Sequence, residues 1–136
     1  MNKIASPKPK LERRTKVAVI DDDRFIRYLL DMHLRNAGYE VFVAEDAVVG
    51  GRIVLERCPD VIVCDLDMPY MSGCEFAEAL RSDPATCNIP VIFLTVHAHD
   101  GRARELGATC LQKPVTADEL VRAVERFSAP SARAIV

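Results

Sequence analysis

The chain has 136 residues, 49% of them hydrophobic and 28% charged, with a net charge of −2. That length carries one domain with a full core, and the composition is globular rather than disordered or low-complexity. No stretch approaches the ~20 apolar residues of a membrane span, and the polar start Met1-Asn2-Lys3-Ile4 lacks a signal-peptide core, so a cytoplasmic protein without a membrane partner is expected.

Charge is unevenly spread. Residues 1–16 hold six Lys and Arg against Glu12, a net of +5, which leaves −7 for the remainder. Residues 1–15 read as a basic flexible arm, because Pro7 and Pro9 oppose packing and there is little apolar surface to bury. No aromatic interleaves these charges, so nucleic acid is not supported as a partner. The five cysteines are odd in number and form no CxxC pair, so neither a disulfide framework nor a zinc ribbon is suggested. They are expected to be small buried hydrophobes.

The predicted elements alternate along the chain. Val17 to Ile20 is a first strand, after which Asp22 or Asp23 caps a helix. Phe25, Ile26, Leu29, Leu30, Leu34 and Ala37 recur there at helical spacing, and Gly38 supplies a left-handed stop. Glu40 to Ala44 is a second strand. The second helix covers Ala47 to Arg57 with Val49, Ile53 and Val54 inward, and Gly50-Gly51 weakens it by about 1 kcal/mol per glycine. Val61 to Asp65 is a third strand, apolar throughout as in a sheet covered on both faces. Ser72-Gly73-Cys74-Glu75 is a capping box opening a third helix with Phe76, Ala79 and Leu80 on its apolar side. Pro90 leads into a fourth strand, Val91 to Thr95. A short fourth helix is expected over 102–106, then a fifth strand, Thr109 to Gln112. Thr116 to Glu119 is a second capping box, and a fifth helix runs to Phe127 with Leu120, Val121, Val124 and Phe127 inward. Five βα units with short connections predict an α/β domain with a parallel sheet and helices on both faces, over residues 16–128. Residues 129–136 read as a tail.

Four of the five strands end in chemistry. Asp21-Asp22-Asp23 follows the first, Asp65 ends the third, Thr95 ends the fourth, and Lys113-Pro114 follows the fifth. The carboxyl edge of an open parallel sheet is where ligands bind. Any one of these residues taken alone is a cap or a surface side chain; their conjunction is a site. Gathered carboxylates repel and push at least one pKa upward, and a hard cation relieves this. Mg2+ is therefore expected, with Asp21 and Asp22 as ligands and Asp65 as both ligand and nucleophile toward a phosphoryl group. Lys113 would add positive charge and Thr95 a hydroxyl donor.

Val19-Ile20-Asp21-Asp22-Asp23, Val63-Cys64-Asp65-Leu66-Asp67-Met68-Pro69, Ser72-Gly73, Leu94-Thr95 and Gln112-Lys113-Pro114 together resemble the response-regulator receiver domain of two-component signalling, over about Lys16 to Phe127. The resemblance implies a flavodoxin-like (βα)5 fold with strand order 2-1-3-4-5. It implies Asp65 as phosphoacceptor, Asp21 and Asp22 in the Mg2+ pocket with the Asp67 backbone carbonyl, Thr95 as the switch hydroxyl, Lys113 as its partner, and a cis Lys113-Pro114 bond. The donor would be a phosphohistidine on a sensor histidine kinase or histidine phosphotransfer protein. The output would be binding to a downstream protein or a phosphorylation-dependent dimer.

Three positions depart from that pattern. Val96 stands where Ala or Gly is usual, and should crowd the phosphoryl group and slow attack by water. Cys110 stands where the family has Tyr or Phe, which puts the coupling of threonine to a swinging ring in doubt. The interval from Thr95 to Lys113 is shorter than usual by about one helical turn, so the fourth helix should be short or irregular and partner binding there atypical, through His97-Ala98-His99. Two other readings compete. Asp65-Leu66-Asp67 resembles the DxD of haloacid-dehalogenase phosphohydrolases, although there the motif lies in the first strand. A degenerate receiver acting as a constitutive scaffold would fit the altered switch residues, but not the full acidic set.

Overall fold

The computed structural model describes residues 13–97 and 108–128. The arm residues 1–12, the fourth helix expected over 102–106, Ala98, His99 and the tail 129–136 lie outside them. Among the described residues nine elements follow one another: β1 (Lys16–Ile20), α1 (Arg24–Asn36), β2 (Glu40–Ala44), α2 (Ala47–Arg57), β3 (Val61–Asp65), α3 (Gly73–Arg81), β4 (Val91–Thr95), β5 (Thr109–Gln112) and α4 (Ala117–Ser128). The strands form one parallel sheet in the order β2-β1-β3-β4-β5. At its foot Thr15 accepts from the Glu40 N–H at 2.9 Å, and Arg13 lies 3.4 Å from Asp60.

Burial explains the strand sequences. All five residues of β3 are buried, because α2 and α3 cover one face and α1 and α4 the other. The first layer packs Val54, Phe76, Ala77 and Leu80 on Ala18, Ile62 and Phe93; the second packs Leu30, Leu34, Leu120 and Val124 on Val17, Val63 and Ile92. Each such side chain contributes roughly 1.5–3 kcal/mol through its removal from water. Polar alternation in β3 would break one of the two layers.

The helix starts follow their capping chemistry. Asp23, rather than Asp22, caps α1, accepting from the N–H groups of Phe25 and Ile26. The Ser72–Glu75 box is reciprocal, with Ser72 Oγ accepting at 3.2 Å and Glu75 Oε1 accepting at 2.9 Å. The Thr116–Glu119 box forms likewise, and those bonds lower the Glu119 pKa. Gly38 ends the α1 turn at φ 96°.

Some expected positions differ. Phe25 is exposed, while Ile26 in the same turn packs against the core and Leu30 and Leu34 are buried in it. Ala79 is exposed and Ala77 takes its place in the interior. Only Cys64 and Cys74 are buried; Cys58, Cys87 and Cys110 are exposed, because they stand at a helix end, in a loop and on an outward position of the edge strand β5. Gly50 is more than a weak point of α2: a Cβ there would lie 2.7 Å from Ile20 Cδ1, so the missing side chain is what lets α2 approach β1. No described helix is long and apolar enough to cross a membrane.

Candidate functional site

Sheet register brings the chemical residues level. Ile20 pairs with Cys64, so Asp21 stands beside Asp65 one step on; Asp65 pairs with Leu94, and Thr95 with Gln112, just before Lys113. Asp21, Asp65 and Thr95 are all buried, although polar side chains rarely are without partners.

The partners are specific. Asp21 Oδ1 accepts from the Asp23 N–H at 2.9 Å, and Asp65 Oδ1 from the Asp67 N–H at 3.2 Å. Lys113 Nζ lies 3.3 Å from Asp21 Oδ2 and 3.3 Å from Asp65 Oδ1, bridging the two carboxylates. Its own backbone N–H donates to the Thr95 carbonyl at 2.7 Å, and the Lys113-Pro114 bond is cis, as the resemblance implied. Thr95 Oγ1 accepts from the His97 N–H at 3.1 Å. Asp22 and Asp67 are exposed at the rim, and Val96 stands exposed directly after Thr95.

Electrostatics follow from this packing. Burial pushes the Asp65 carboxyl up to about 6, and the neighbouring Asp21 charge adds to the rise. Lys113 and the Asp67 N–H pull it the other way. Burial also raises Asp21. Desolvation would lower the Lys113 pKa, but the two carboxylates outweigh it and raise it. The repulsion expected from the sequence is present, though removal from water is the larger cause.

One carboxylate oxygen from each of Asp21, Asp22 and Asp65 lies within 4.8 Å of the other two. Three carboxylates against the single Lys113 ammonium leave two formal negative charges. Such an all-oxygen, partly buried, partly open set suits a hard divalent cation that keeps waters in its shell. The sequence marked Gly73 within a capping box and the Ser72-Gly73 motif, but not as a residue seated against Asp65. A Cβ there would fall 2.6 Å from the Asp65 carbonyl oxygen and 3.0 Å from Leu66 Cα, so α3 starts directly against the backbone that presents Asp65. The Gly73 N–H also donates to the Leu66 carbonyl at 2.9 Å. Arg27 was missed as well; it donates to the Asp21 carbonyl at 2.7 Å, and a lone helical arginine carries no signal of that role.

Comparisons with known proteins agree with this geometry. The family model described as the response regulator receiver domain matches residues 17–125. The phosphate regulon transcriptional regulatory protein PhoB of Pseudomonas aeruginosa is 34% identical over 121 residues, 84% of this chain; the chain spans only 53% of PhoB. The chemotaxis protein CheY4 of Vibrio cholerae is structurally similar with a TM-score of 0.79 at 31% identity, covering 84% of this chain and 98% of that one. The receiver domain of sensor histidine kinase PA1611 from Pseudomonas aeruginosa, whose structure has a magnesium ion coordinated in the active site cleft, gives a TM-score of 0.76 at 26% identity, covering 85% and 98%. The phosphohydrolase reading gains no support from any of these. Strand order, acidic edge and family match converge: the chain belongs to the response regulator receiver domain family of two-component signalling.

Proposed function

We propose that this receiver takes a phosphoryl group from a phosphohistidine onto Asp65. A carboxylate oxygen of Asp65 attacks phosphorus, the P–N bond breaks with its electron pair remaining on the imidazole, and an acyl phosphate results. In the separate step that removes the group, water attacks phosphorus, the bond from phosphorus to Asp65 breaks, and carboxylate, inorganic phosphate and a proton are released. Lys113 pairs with the phosphoryl oxygens, and Thr95 donates its hydroxyl to them. Asp21, Asp22 and Asp65, with the Asp67 backbone carbonyl, would hold Mg2+, which when bound supplies positive charge against those oxygens. The ion in the PA1611 receiver domain supports that choice of metal.

The observation that carries the reading is the Lys113 bridge, 3.3 Å to each of two buried carboxylates on neighbouring strands. It puts a cation beside the nucleophile without neutralising the acidic set. The donor would sit on a sensor histidine kinase or phosphotransfer protein in the cytoplasm. The output would be altered binding to a downstream protein, or dimerisation. The unit would be residues 16–128, flanked by the arm 1–15 and the tail 129–136. Because the chain spans about half of PhoB, the transcriptional role in that name is not carried over.

The test is intact-mass spectrometry after incubation with acetyl phosphate and Mg2+. One phosphoryl adduct is expected, absent in Asp65→Asn. An adduct that survives the substitution, or repeated turnover of a phosphomonoester, would refute the proposal.

A further inference from the structure

The face that carries α2 and α3 has an unfilled outer surface. Between the two helices lies a cavity of about 460 Å³, walled by Val48, Gly51 and Leu55 on one side and Phe76 and Ala79 on the other. The loop Pro69-Tyr70-Met71 closes one end. Eight large hydrophobic side chains are exposed among the described residues, and four of them line this cavity: Val48 at 74%, Leu55 at 56%, Tyr70 at 104% and Met71 at 38%. Single exposed apolar residues need no explanation, but four around one concavity mark an interaction surface.

The shape has a helical period. Positions 48, 51 and 55 are spaced by three and four and form one stripe along α2. Gly51 contributes no side chain, so the stripe has a trough between Val48 and Leu55. At the loop end, Tyr70 adopts φ 72°, a left-handed conformation that costs a non-glycine residue energy. The charge is one-signed: Asp46 and Asp83 line the cavity, and no Lys or Arg among the described residues does. Asp46 caps the start of α2 and Asp83 follows the end of α3, so the two acids mark opposite ends of the groove. Each accepts one local N–H at 2.9 Å, Val49 to Asp46 and Ala85 to Asp83, and these bonds leave both negative charges in place.

We propose that this groove docks an amphipathic helix of a partner protein. The helix presents apolar residues at i, i+4 and i+7 to the trough, and Lys or Arg near each end to Asp46 and Asp83. The eleven residues of α2 span roughly 16 Å, which places the two basic positions about ten residues apart. A small apolar ligand would fill the trough but leave both end charges unused. The inference does not rest on phosphoryl transfer, since Asp65 contributes nothing to the groove walls.

The probe is a synthetic helix of about fifteen residues with Leu at the three apolar positions and Lys at both ends, against the same helix with Glu at the ends. Binding to the full chain is read by fluorescence anisotropy and by amide chemical shifts. The Lys helix should bind about tenfold tighter than the Glu helix. Its shifts should fall on α2, α3 and the 69–71 loop. The exposed pair Val48→Glu and Leu55→Glu should weaken it by at least about tenfold without unfolding the chain. Asp46→Asn with Asp83→Asn keeps a side-chain oxygen to accept from the Val49 and Ala85 N–H groups, since Asn caps about as well as Asp, and should erase the Lys preference. Asp65→Asn should bind equally, so a failed phosphorylation test leaves this one intact. Equal affinity for the two probes, shifts elsewhere, or indifference to the Glu pair would overturn the proposal. So would self-association in sedimentation that the Glu pair abolishes, which would give the groove to a second copy.

Discussion

Asp65→Asn should stabilise the metal-free protein at neutral pH, although it removes the proposed phosphoacceptor. The folded state raises this carboxyl from 3.8 to about 6, chiefly by burial. A raised folded pKa means that the folded chain holds a proton the unfolded chain gives up. Stability from this group is therefore full below pH 3.8, falls as pH rises toward 6, and stays at its minimum above that. Roughly two units at 1.36 kcal/mol each give about 3 kcal/mol as a ceiling, and ~2 kcal/mol after relaxation of the surroundings. For a chain of this length that is roughly 6–10 °C in Tm. Urea and thermal unfolding of both proteins in EDTA at pH 4.0 and 7.5 reads the effect of Asp65 together with its coupling to Asp21 and Lys113, since the carboxylates remote from these three cancel in the difference. The variant should match wild type at pH 4.0 and exceed it at pH 7.5, and Mg2+ should stabilise wild type more than the variant. A difference equal at both pH values, or favouring wild type at pH 7.5, would refute the electrostatic account.

Other perturbations separate the parts of the structure. Gly73→Ala sets a Cβ 2.6 Å from the Asp65 carbonyl oxygen, a backbone atom that cannot swing away; about 2 kcal/mol of stability and a weakened Mg2+ response in a titration are expected losses. Gly51→Ala meets Phe76 only at 3.8 Å and should stabilise by roughly 0.5–1 kcal/mol through helix propensity. Gly50→Ala meets buried Ile20 at 2.7 Å, so its urea midpoint should fall below that of the Gly51 variant. Lys113→Met leaves two buried carboxylates without their shared cation, costing about 2 kcal/mol at pH 7.5 in EDTA and far less at pH 4.0. Val96→Ala should speed loss of the acyl phosphate roughly three- to tenfold if the branched side chain hinders water. An unchanged phosphate-release rate would remove that idea.

The strands were legible because a doubly covered parallel sheet demands unbroken apolar runs, and such runs stop where the sheet stops. Val61–Asp65 shows this best: four apolar residues, then the carboxylate. Capping boxes were legible for the same local reason, since Ser72 with Glu75 and Thr116 with Glu119 need no tertiary partner. Features that depend on what lies across the interior were not legible. Helical spacing placed Phe25 with the core residues, yet it faces solvent while its neighbour Ile26 packs on the core. Propensity counted Gly50 as a weakness, while its role is set by Ile20 on a strand thirty residues away. Gly73 read as half of a cap, and its contact with the Asp65 backbone exists only once α3 is seated. At the site, sequence gave the residue types and their common edge. It gave neither the depth of burial nor the sharing of Lys113, and these set the pKa of Asp65.

Those two features act in opposite directions, and their balance bears on the chemistry. A carboxylate left in water would be ionised at neutral pH but well solvated and weakly attracted to a cation. One buried without a partner would stay protonated and could not attack phosphorus. Asp65 lies between: removal from water and Asp21 lift it, while Lys113 and the Asp67 N–H hold it near 6, below cellular pH. It is thus ionised and still poorly solvated. Metal binding would relieve that stress, so the free energy lost to stability in the metal-free protein would reappear as affinity for the cation. Weakening either restraint should shift the balance measurably. In Lys113→Met the Asp65 carboxyl should titrate above 6, read from its side-chain carbon resonance in EDTA. An unchanged midpoint would mean that the lysine plays no part in setting the ionisation of the proposed phosphoacceptor.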